Sequence, residues 1–188
     1  SALKNIDLSQ YDSLAVGPGI GIDNDDWQKS QDYLMAFGGL LILDADALNR
    51  ISESEFGSKF FLERKFKTWI TPHSREFSRL FPQIQCDTNI GLATKVAKEY
   101  NISVLLKGAN SIVADNKQAW QLFGTDPHTA RAGLGDLLSG FVAGSSAIDL
   151  AFCKNIKTDC FAKYVLLHSF AASKCKSGSN ASAIGDEL

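Results

Sequence analysis

Four short segments of the chain are apolar at nearly every position. They are SLAVG at 13–17, LLILD at 40–44, KTWIT at 67–71 and SVLLK at 103–107. Strands of a parallel sheet are covered on both faces, so they carry apolar side chains at successive positions instead of alternating ones. The four segments are therefore predicted to be strands of a parallel sheet.

Segments with helical periodicity lie between and after these strands. Helices are predicted over Asp25–Phe37, Thr88–Tyr100, Leu137–Phe152 and Asp159–Lys174. In the second of them, the residues expected on one helix face are Ile90, Ala93, Ala97 and Tyr100. Two further apolar segments, at 111–115 and 119–123, flank a short polar turn and predict an antiparallel hairpin. Alternating strands and helices indicate an α/β layered fold with a mostly parallel central sheet, in a single domain over 1–188.

Composition narrows the class of protein. The 188 residues are 45% hydrophobic and 21% charged, which is typical of a globular domain. The net charge is -2 without long runs of either sign, so no nucleic-acid or anionic-membrane surface is indicated. No stretch approaches the roughly 18 consecutive apolar residues of a membrane span, and the first ten residues do not resemble a signal peptide. The four cysteines lack a CxxC pair, which disfavours a zinc site, and a soluble cytoplasmic protein is expected.

Polar and glycine residues follow each predicted strand directly. GPGIG occupies 17–21, Asp44 and Asp46 follow the second strand, TPHSRE occupies 71–76, and KGANS occupies 107–111. Ligands of open α/β sheets bind outside the carboxyl ends of the strands. If the sheet is parallel, these four loops meet at one crevice, which predicts a binding site there.

A glycine-rich turn, GLGD at 133–136, precedes an apolar helix. Glycines at a helix N-terminus allow backbone N–H groups to approach an anion, and the helix dipole favours negative charge there. Asp136 would then be placed to accept a proton from an alcohol during phosphoryl transfer. The alternative is that Asp136 is an ordinary N-cap.

Other candidate residues have a functional and an ordinary interpretation. Lys107 with Gly108 suits a nucleotide phosphate, although a lone lysine is more often a solvated charge, and the chain has no Walker A sequence. Asp44 and Asp46 are expected on opposite sides of a strand end, one facing the crevice as a Mg²⁺ ligand and the other capping a helix; Asp44 is the candidate ligand. His73 is a candidate for hydrogen bonding to a substrate.

The remaining histidines and the tryptophans are expected to be structural or peripheral. His168 is predicted to be a hydrogen-bonded core residue, since it shares a helix face with Phe161 and Val165. His128 is predicted in a loop near the crevice. Core or boundary positions are predicted for Trp27, Trp69 and Trp120.

Taken together, the motifs GPGIG, LDADALN, TPHSREFSRL, VLLKGANSIVAD and GLGDLLSGFVAG resemble, in order and spacing, the ADP/ATP-dependent NAD(P)H-hydrate dehydratases. The resemblance runs from about Val16 to Gly144. It implies a ribokinase-like α/β/α fold. It also implies dehydration of NADH or NADPH whose nicotinamide ring has been hydrated, by phosphorylation of the ring hydroxyl from ADP or ATP with Mg²⁺ and elimination of phosphate.

The resemblance also implies roles for individual residues. Contacts to the hydrated dinucleotide are implied for Gly19, Gly21, His73, Glu76, Arg79 and Asp136. Contacts to the adenine nucleotide are implied for Lys107, Gly108, Ala109, Asn110, Ser111, Gly133 and Gly135. Asp136 would be the catalytic base.

Two features depart from the family pattern. Asp126, His128 and Arg131 replace smaller or neutral residues beside the glycine-rich turn. The family domain also has strands and helices before its GPGIG segment, which are expected on a preceding part of the polypeptide. A fused or separate epimerase and a homo-oligomeric state are expected as well. The competing hypotheses are a small-molecule kinase of the same superfamily and a nucleotide-binding module without catalysis.

Overall fold

A computed structural model of the protein describes residues 6–21, 27–123, 132–175 and 180–188. The strands are β1 (Ser13–Val16), β2 (Leu40–Leu43), β3 (Thr68–Ile70), β4 (Ser103–Leu106), β5 (Ile112–Ala114) and β6 (Ala119–Gln121). The helices are α1 (Trp27–Ala36), α2 (Ala45–Glu53), α3 (Lys59–Glu63), α4 (Ser74–Leu80), α5 (Asn89–Tyr100), α6 (Leu134–Cys153), α7 (Thr158–Lys174) and α8 (Ala181–Gly185). A short 3-10 helix at Leu8–Gln10 precedes β1.

The six strands form one sheet in sequence order. β1 to β4 pair in parallel, and β4, β5 and β6 pair antiparallel. The four predicted parallel strands and the predicted hairpin are confirmed. Right-handed crossovers between strands that advance in one direction place their helices on one face of the sheet. The other face must then be covered by elements from elsewhere in the chain.

Successive side chains of each strand enter different cores, as the two-residue period of a strand requires. Leu41 and Leu43 pack in a cluster with residues of α1 to α5. Leu40 and Ile42 pack in a second cluster with residues of α6 and α7, where Trp69 and Phe161 stack with ring centroids 4.5 Å apart. The fold is therefore the predicted α/β/α layered architecture.

The four predicted helices are present, with two corrections inside them. In α5, capped by Thr88, Ile90 is 41% exposed, and Val96 is buried in its place. His168 on α7 is 4% exposed, as predicted, but its Nε2 has no hydrogen-bond partner among the described residues. Burial without compensation disfavours the imidazolium and lowers the pKa of His168 to about 4.

α6 has the length and composition of a helix that could cross a membrane. The sequence expectation missed this because glycine, serine and aspartate interrupt its apolar residues. Leu138 and Val142 of α6 lie in the core cluster beneath the sheet, and Ser139 donates a hydrogen bond to Asp44. Through these contacts α6 forms one layer of the α/β fold. Its length and composition alone do not indicate a membrane span, because core helices share them.

Candidate active site

Asp44 stands at the centre of the carboxyl edge of the sheet. It follows β2 directly and is 1% exposed. Its Oδ1 accepts from Lys107 Nζ at 2.7 Å and from the Ala45 N–H at 2.8 Å, and its Oδ2 accepts from Ser139 Oγ at 2.8 Å. A buried carboxylate needs a counter-charge and several hydrogen bonds, and Asp44 has both. It thereby joins the ends of β2 and β4 to α6.

The ends of β3 and β4 are also joined through their backbones. Lys107 donates its N–H to the Pro72 carbonyl at 2.9 Å, and His73 and Lys107 form an isolated parallel bridge. The Lys107 side chain is 25% exposed, so it reaches the surface although its ammonium is bound by Asp44. The loops after β2, β3 and β4 therefore converge, as predicted.

The GPGIG loop after β1 reaches the same centre through Gly17. Its φ is +140°, and a Cβ built there would lie 1.7 Å from the Asp44 carbonyl oxygen. The Gly21 N–H donates to Asp46 Oδ2 at 2.9 Å, and the Gly21 carbonyl accepts from Arg50 Nε. Two side chains of α2 therefore hold the loop against the sheet edge.

Arg50 was missed by the sequence interpretation. It is buried, it also donates to the Ile20 carbonyl at 3.2 Å, and its guanidinium lies 5.3 Å from the centroid of the Trp27 ring. A cation on the apolar side of an amphipathic helix, four residues after Asp46, was the available signal. Its partners are backbone carbonyls of a loop, which only the fold brings within reach.

Asp44 and Asp46 do not point to opposite sides of a strand, so that prediction was wrong. The chain leaves the strand at Asp44 and enters α2 at Ala45, which has a φ of +46°. Asp44 therefore both caps α2 and faces the site, while Asp46 lies in the first helical turn. The Lys107 ammonium already lies on Asp44, and no group of three His, Cys, Asp or Glu in the described ranges could hold a metal. This geometry favours an ion pair over a Mg²⁺ site at Asp44.

His73 is the N-cap of α4 and forms a capping box with Glu76. Its Nδ1 accepts from the N–H groups of Arg75 and Glu76 at 3.1 and 3.3 Å, and Glu76 Oε2 accepts from the His73 N–H at 2.8 Å. Because Nδ1 is an acceptor, the neutral ring carries its proton on Nε2. Glu76 Oε1 lies 3.4 Å from that Nε2, so the buried Glu76 orients the exposed edge of the His73 ring.

Arg79 is not drawn into this network. It lies in the last turn of α4, is exposed, and donates from Nε to the Arg75 carbonyl at 3.4 Å. The structure thus brings His73 and Glu76 together and leaves Arg79 two turns away from the capped end. Asp126, His128 and Arg131 lie outside the described residues.

The N-terminus of α6 covers the Asp44–Lys107 pair. Gly133 is the N-cap, with a φ of +80°, and Asp136 lies in the first turn, so the alternative that Asp136 is the N-cap was wrong. A Cβ built on Gly135 would lie 3.7 Å from both Asp44 Oδ2 and Lys107 Nζ. Asp136 is exposed and makes no hydrogen bond to the part of the chain that the structure describes.

The turn from 107 to 111 runs out from Lys107 along the same edge. Gly108, Ala109 and Asn110 are exposed, and Ser111 Oγ donates to the Gly108 carbonyl at 3.2 Å. The exposed turn at 108–110 and the N-terminus of α6 at Gly135 lie near one ammonium, that of Lys107. Such an arrangement can bind a polyanion.

A cleft of about 770 Å³ lies at the opposite edge of the sheet, near the starts of β2 and β3. Lys67 projects there, but its ammonium is bound by Asn155 Oδ1 at 3.1 Å and by the Ile156 carbonyl. Asp136, the Lys107 ammonium and the N-terminus of α6 all lie at the carboxyl edge, which is the candidate active site.

The layered sheet with a glycine-rich helix N-terminus at its carboxyl edge places the chain in the ribokinase-like class of folds. A ribokinase-like superfamily protein from Enterococcus faecalis V583 superposes with a TM-score of 0.77 at 22% identity, over 96% of this chain and 62% of that chain. An ADP/ATP-dependent NAD(P)H-hydrate dehydratase from Bacillus subtilis, co-crystallised with ATP and Mg²⁺ and soaked with CoA, superposes with a TM-score of 0.74 at 21% identity, over 94% of this chain and 64% of that chain.

A family model described as NAD(P)H-hydrate dehydratase matches residues 1–186, and the chain belongs to this family. It is 34% identical over 145 residues to the bifunctional NAD(P)H-hydrate repair enzyme Nnr of Synechocystis sp., covering 77% of this chain and 27% of that protein. It is 40% identical over 78 residues to the ADP-dependent (S)-NAD(P)H-hydrate dehydratase of Nitrosopumilus maritimus, covering 40% of this chain and 27% of that protein. The chain thus spans about a quarter of the length of these curated relatives.

Proposed function

We propose that this protein removes water from hydrated NADH or NADPH, with ADP or ATP as the phosphoryl donor. One observation carries the proposal. An exposed carboxylate, Asp136, stands in the first turn of α6, one residue after Gly135, and Gly135 lies next to the Lys107 ammonium that Asp44 holds. The family to which the chain belongs, and the names of its relatives, supply the substrates for this arrangement.

In the first step, the hydroxyl of the hydrated nicotinamide ring attacks the terminal phosphorus of the nucleotide. Asp136 accepts the hydroxyl proton as the new O–P bond forms and the bond to the nucleotide breaks. The first N–H groups of α6 and the Lys107 ammonium stabilise the negative charge that spreads over the transferred group.

In the second step, the ring C–O bond breaks and phosphate leaves with its electron pair. The neighbouring ring carbon loses a proton to water, and the double bond of the reduced nicotinamide is restored. Asp136 returns its proton to solvent or to the departing phosphate. Phosphorylation is needed because hydroxide is a poor leaving group, whereas phosphate is a good one. The sum is one hydrated dinucleotide and one nucleotide converted to reduced dinucleotide, phosphate and the shortened nucleotide.

The glycine loop and His73 are proposed to hold the hydrated dinucleotide. Gly19 and Gly21 have positive φ, and a Cβ built on either would meet no atom within 4 Å, so ligand can approach the backbone closely. The exposed edge of the His73 ring is proposed to contact the substrate, with Glu76 Oε1, 3.4 Å from Nε2, holding the ring in place. Arg79 remains predicted at the border of this pocket.

The adenine nucleotide is proposed to lie along 107–111 and the start of α6, against Gly133 and Gly135. Mg²⁺ is proposed to arrive on the nucleotide, because it usually binds substrate phosphates and few protein carboxylates. The described residues do not form a protein-only site for it, and we assign no step to it.

The proposed function also leads us to propose a partner enzyme, an oligomeric state and a cellular compartment. The bifunctional repair enzymes among the relatives support an epimerase that is fused or separate and that interconverts the two hydrate epimers. A homo-oligomer and a cytoplasmic location, where reduced nicotinamides are used, complete the proposal.

The test uses the complete polypeptide with hydrated NADPH, Mg²⁺ and either ADP or ATP. We expect the absorbance of the reduced nicotinamide to recover only when nucleotide is present. Asp136→Asn should lower this rate by a factor of about 10² to 10⁴, the usual contribution of a general base. Asp32→Asn, an exposed carboxylate on α1, is the matched control and should leave the rate unchanged.

The product identifies the alternatives. Accumulation of a stable phosphorylated compound without recovery of absorbance would indicate a kinase of the same fold. Binding of ADP by the folded protein without turnover of either kind would indicate a nucleotide-binding module.

A further inference from the structure

We infer that Asp44 and Ser139 are positioning residues that hold the Lys107 ammonium against the N-terminus of α6. This inference deepens the proposed function and rests on it. Neither residue faces outward, since Asp44 is 1% and Ser139 is 0% exposed. Their effect on the reaction must therefore pass through Lys107 and through the helix that carries Asp136.

The hydrogen bonds of Asp44 leave its carboxylate a single orientation. Its Oδ1 is shared by the Ala45 N–H and Lys107 Nζ, and its Oδ2 accepts from Ser139. A lysine side chain has several rotatable bonds and would otherwise sample the solvent. Anchored in this way, the ammonium stays where a Cβ on Gly135 would contact it at 3.7 Å.

Ser139 links the same carboxylate to the catalytic helix. It lies four residues after Gly135, which places both on one face of α6, and Asp136 is the adjacent residue in the first turn. The Ser139–Asp44 bond therefore fixes the start of α6 against the end of β2. The Ser139–Asp44 hydrogen bond thus sets the distance between the Lys107 ammonium and Asp136, although it involves neither residue.

This assignment replaces the metal-ligand role expected for Asp44. A carboxylate that binds an ammonium at 2.7 Å and two further donors has little capacity left for a divalent ion. Its negative charge instead balances Lys107 while the outward side of the ammonium remains available to phosphate.

Ser139→Ala and Ser146→Ala form a matched pair. Both serines lie on α6 and both are fully buried, but Ser146 Oγ has no hydrogen-bond partner in the described residues. We expect Ser139→Ala to lower kcat for dehydration roughly ten- to hundredfold, the range of a lost hydrogen bond to a charged group. Ser146→Ala should keep the kcat of the unaltered protein. Ser139→Ala should also lower Tm, because Asp44 Oδ2 loses its donor, so kcat is compared at a temperature where both variants are fully folded. Equal kcat values for the two variants would overturn the inference.

A double-mutant cycle tests the role of Asp44 directly. If Asp44 acts through Lys107, then Asp44→Asn and Lys107→Met should each lower kcat, and the double variant should be no worse than the poorer single one. Losses that multiply in the double variant would show that the two residues act separately, against the inference. If Asp44→Asn does not fold, the comparison of kcat between Ser139→Ala and Ser146→Ala still tests the inference.

A second readout separates this inference from the proposed function. ADP binding is measured by calorimetry for the same variants. If the unaltered protein binds ADP but does not restore NADPH, the proposed function fails, and the cycle is evaluated on ADP affinity alone. If the affinity changes of Asp44→Asn and Lys107→Met then add up in the double variant, the inference fails as well.

Discussion

The two glycine-rich segments at the carboxyl edge, 17–21 and 133–136, have similar composition but need glycine for different reasons. At Gly17 a side chain would run into the backbone of Asp44, with the Cβ 1.7 Å from its carbonyl oxygen. At Gly135 a Cβ would make only ordinary contacts at 3.7 Å. Gly17 allows the loop after β1 to pack against the backbone of Asp44, whereas Gly135 leaves space beside the Lys107 ammonium. A glycine-rich motif therefore indicates a ligand only where the space that it leaves is open.

Gly17→Ala is the change expected to have the largest effect on stability. The φ of +140° disfavours any side chain, and the added Cβ would overlap a backbone atom that cannot move without displacing Asp44. We expect a loss of more than about 4 kcal/mol in the free energy of unfolding, or failure to fold, since overlap in a packed core and backbone strain act together. Urea unfolding followed by circular dichroism measures it.

Gly19→Ala is the control in the same loop. Its φ of +70° also disfavours a side chain, but no atom lies within 4 Å of the added Cβ. The expected loss is about 1–2 kcal/mol from backbone strain alone. Equal losses at Gly17 and Gly19 would show that strain, and not the approach to Asp44, requires glycine at 17.

Low pH should reduce the free energy of unfolding through the buried His168 on α7. Burial lowers the pKa of His168 from its usual 6.5 to about 4, so the unfolded chain takes up a proton that the folded protein resists. This part of the stability is fully present above pH 6.5, falls as the pH drops towards 4, and amounts to roughly 3 kcal/mol. Unfolding free energies across this pH range measure the loss.

His168→Gln should remove that dependence, because glutamine does not titrate. If the slope between pH 6.5 and 4 persists in this variant, groups other than His168 cause the acid sensitivity.

Gly135→Ala is expected to have the smallest effect on stability and a clear effect on binding. The position is helical with room for a methyl group, and alanine is favoured over glycine there by up to about 1 kcal/mol. The methyl group would occupy the space beside Lys107 that phosphate is proposed to enter. We expect ADP affinity to fall about tenfold while Tm stays equal or rises, by calorimetry and thermal unfolding; unchanged affinity would contradict an anion site at Gly135.

Much of the fold could be predicted because its strands are buried on both faces. The apolar segments at 13–17, 40–44, 67–71 and 103–107 all became parallel strands. The prediction failed where the same local spacing is compatible with either a buried or an exposed position. Ile90 fits the spacing of a buried helix face, but the first turn of α5 is not covered by other elements, and Ile90 is 41% exposed.

The site was predicted in outline and not in its contacts. Convergence of the loops after β2, β3 and β4 follows from parallel strands. Asp136, Lys107 and His73 were named as candidates from their motifs, and their roles stay predictions. Arg50 and Ser139 were missed because their partners lie 29 and 95 residues away in the chain, at Gly21 and Asp44. No local spacing carries information about such pairs.

The sequence by itself determined the layered class, the parallel direction of the first four strands and the edge at which the loops meet. These follow from hydrophobic periodicity and from the handedness of strand–helix–strand connections, which are local properties of the chain. Only the tertiary structure decided that Asp44 binds Lys107 and Ser139, where the sequence had predicted a Mg²⁺ ligand. The reason is physical: a carboxylate buried by α6 must find a cation and hydrogen-bond donors, and those come from whichever segments the packing brings within 3 Å.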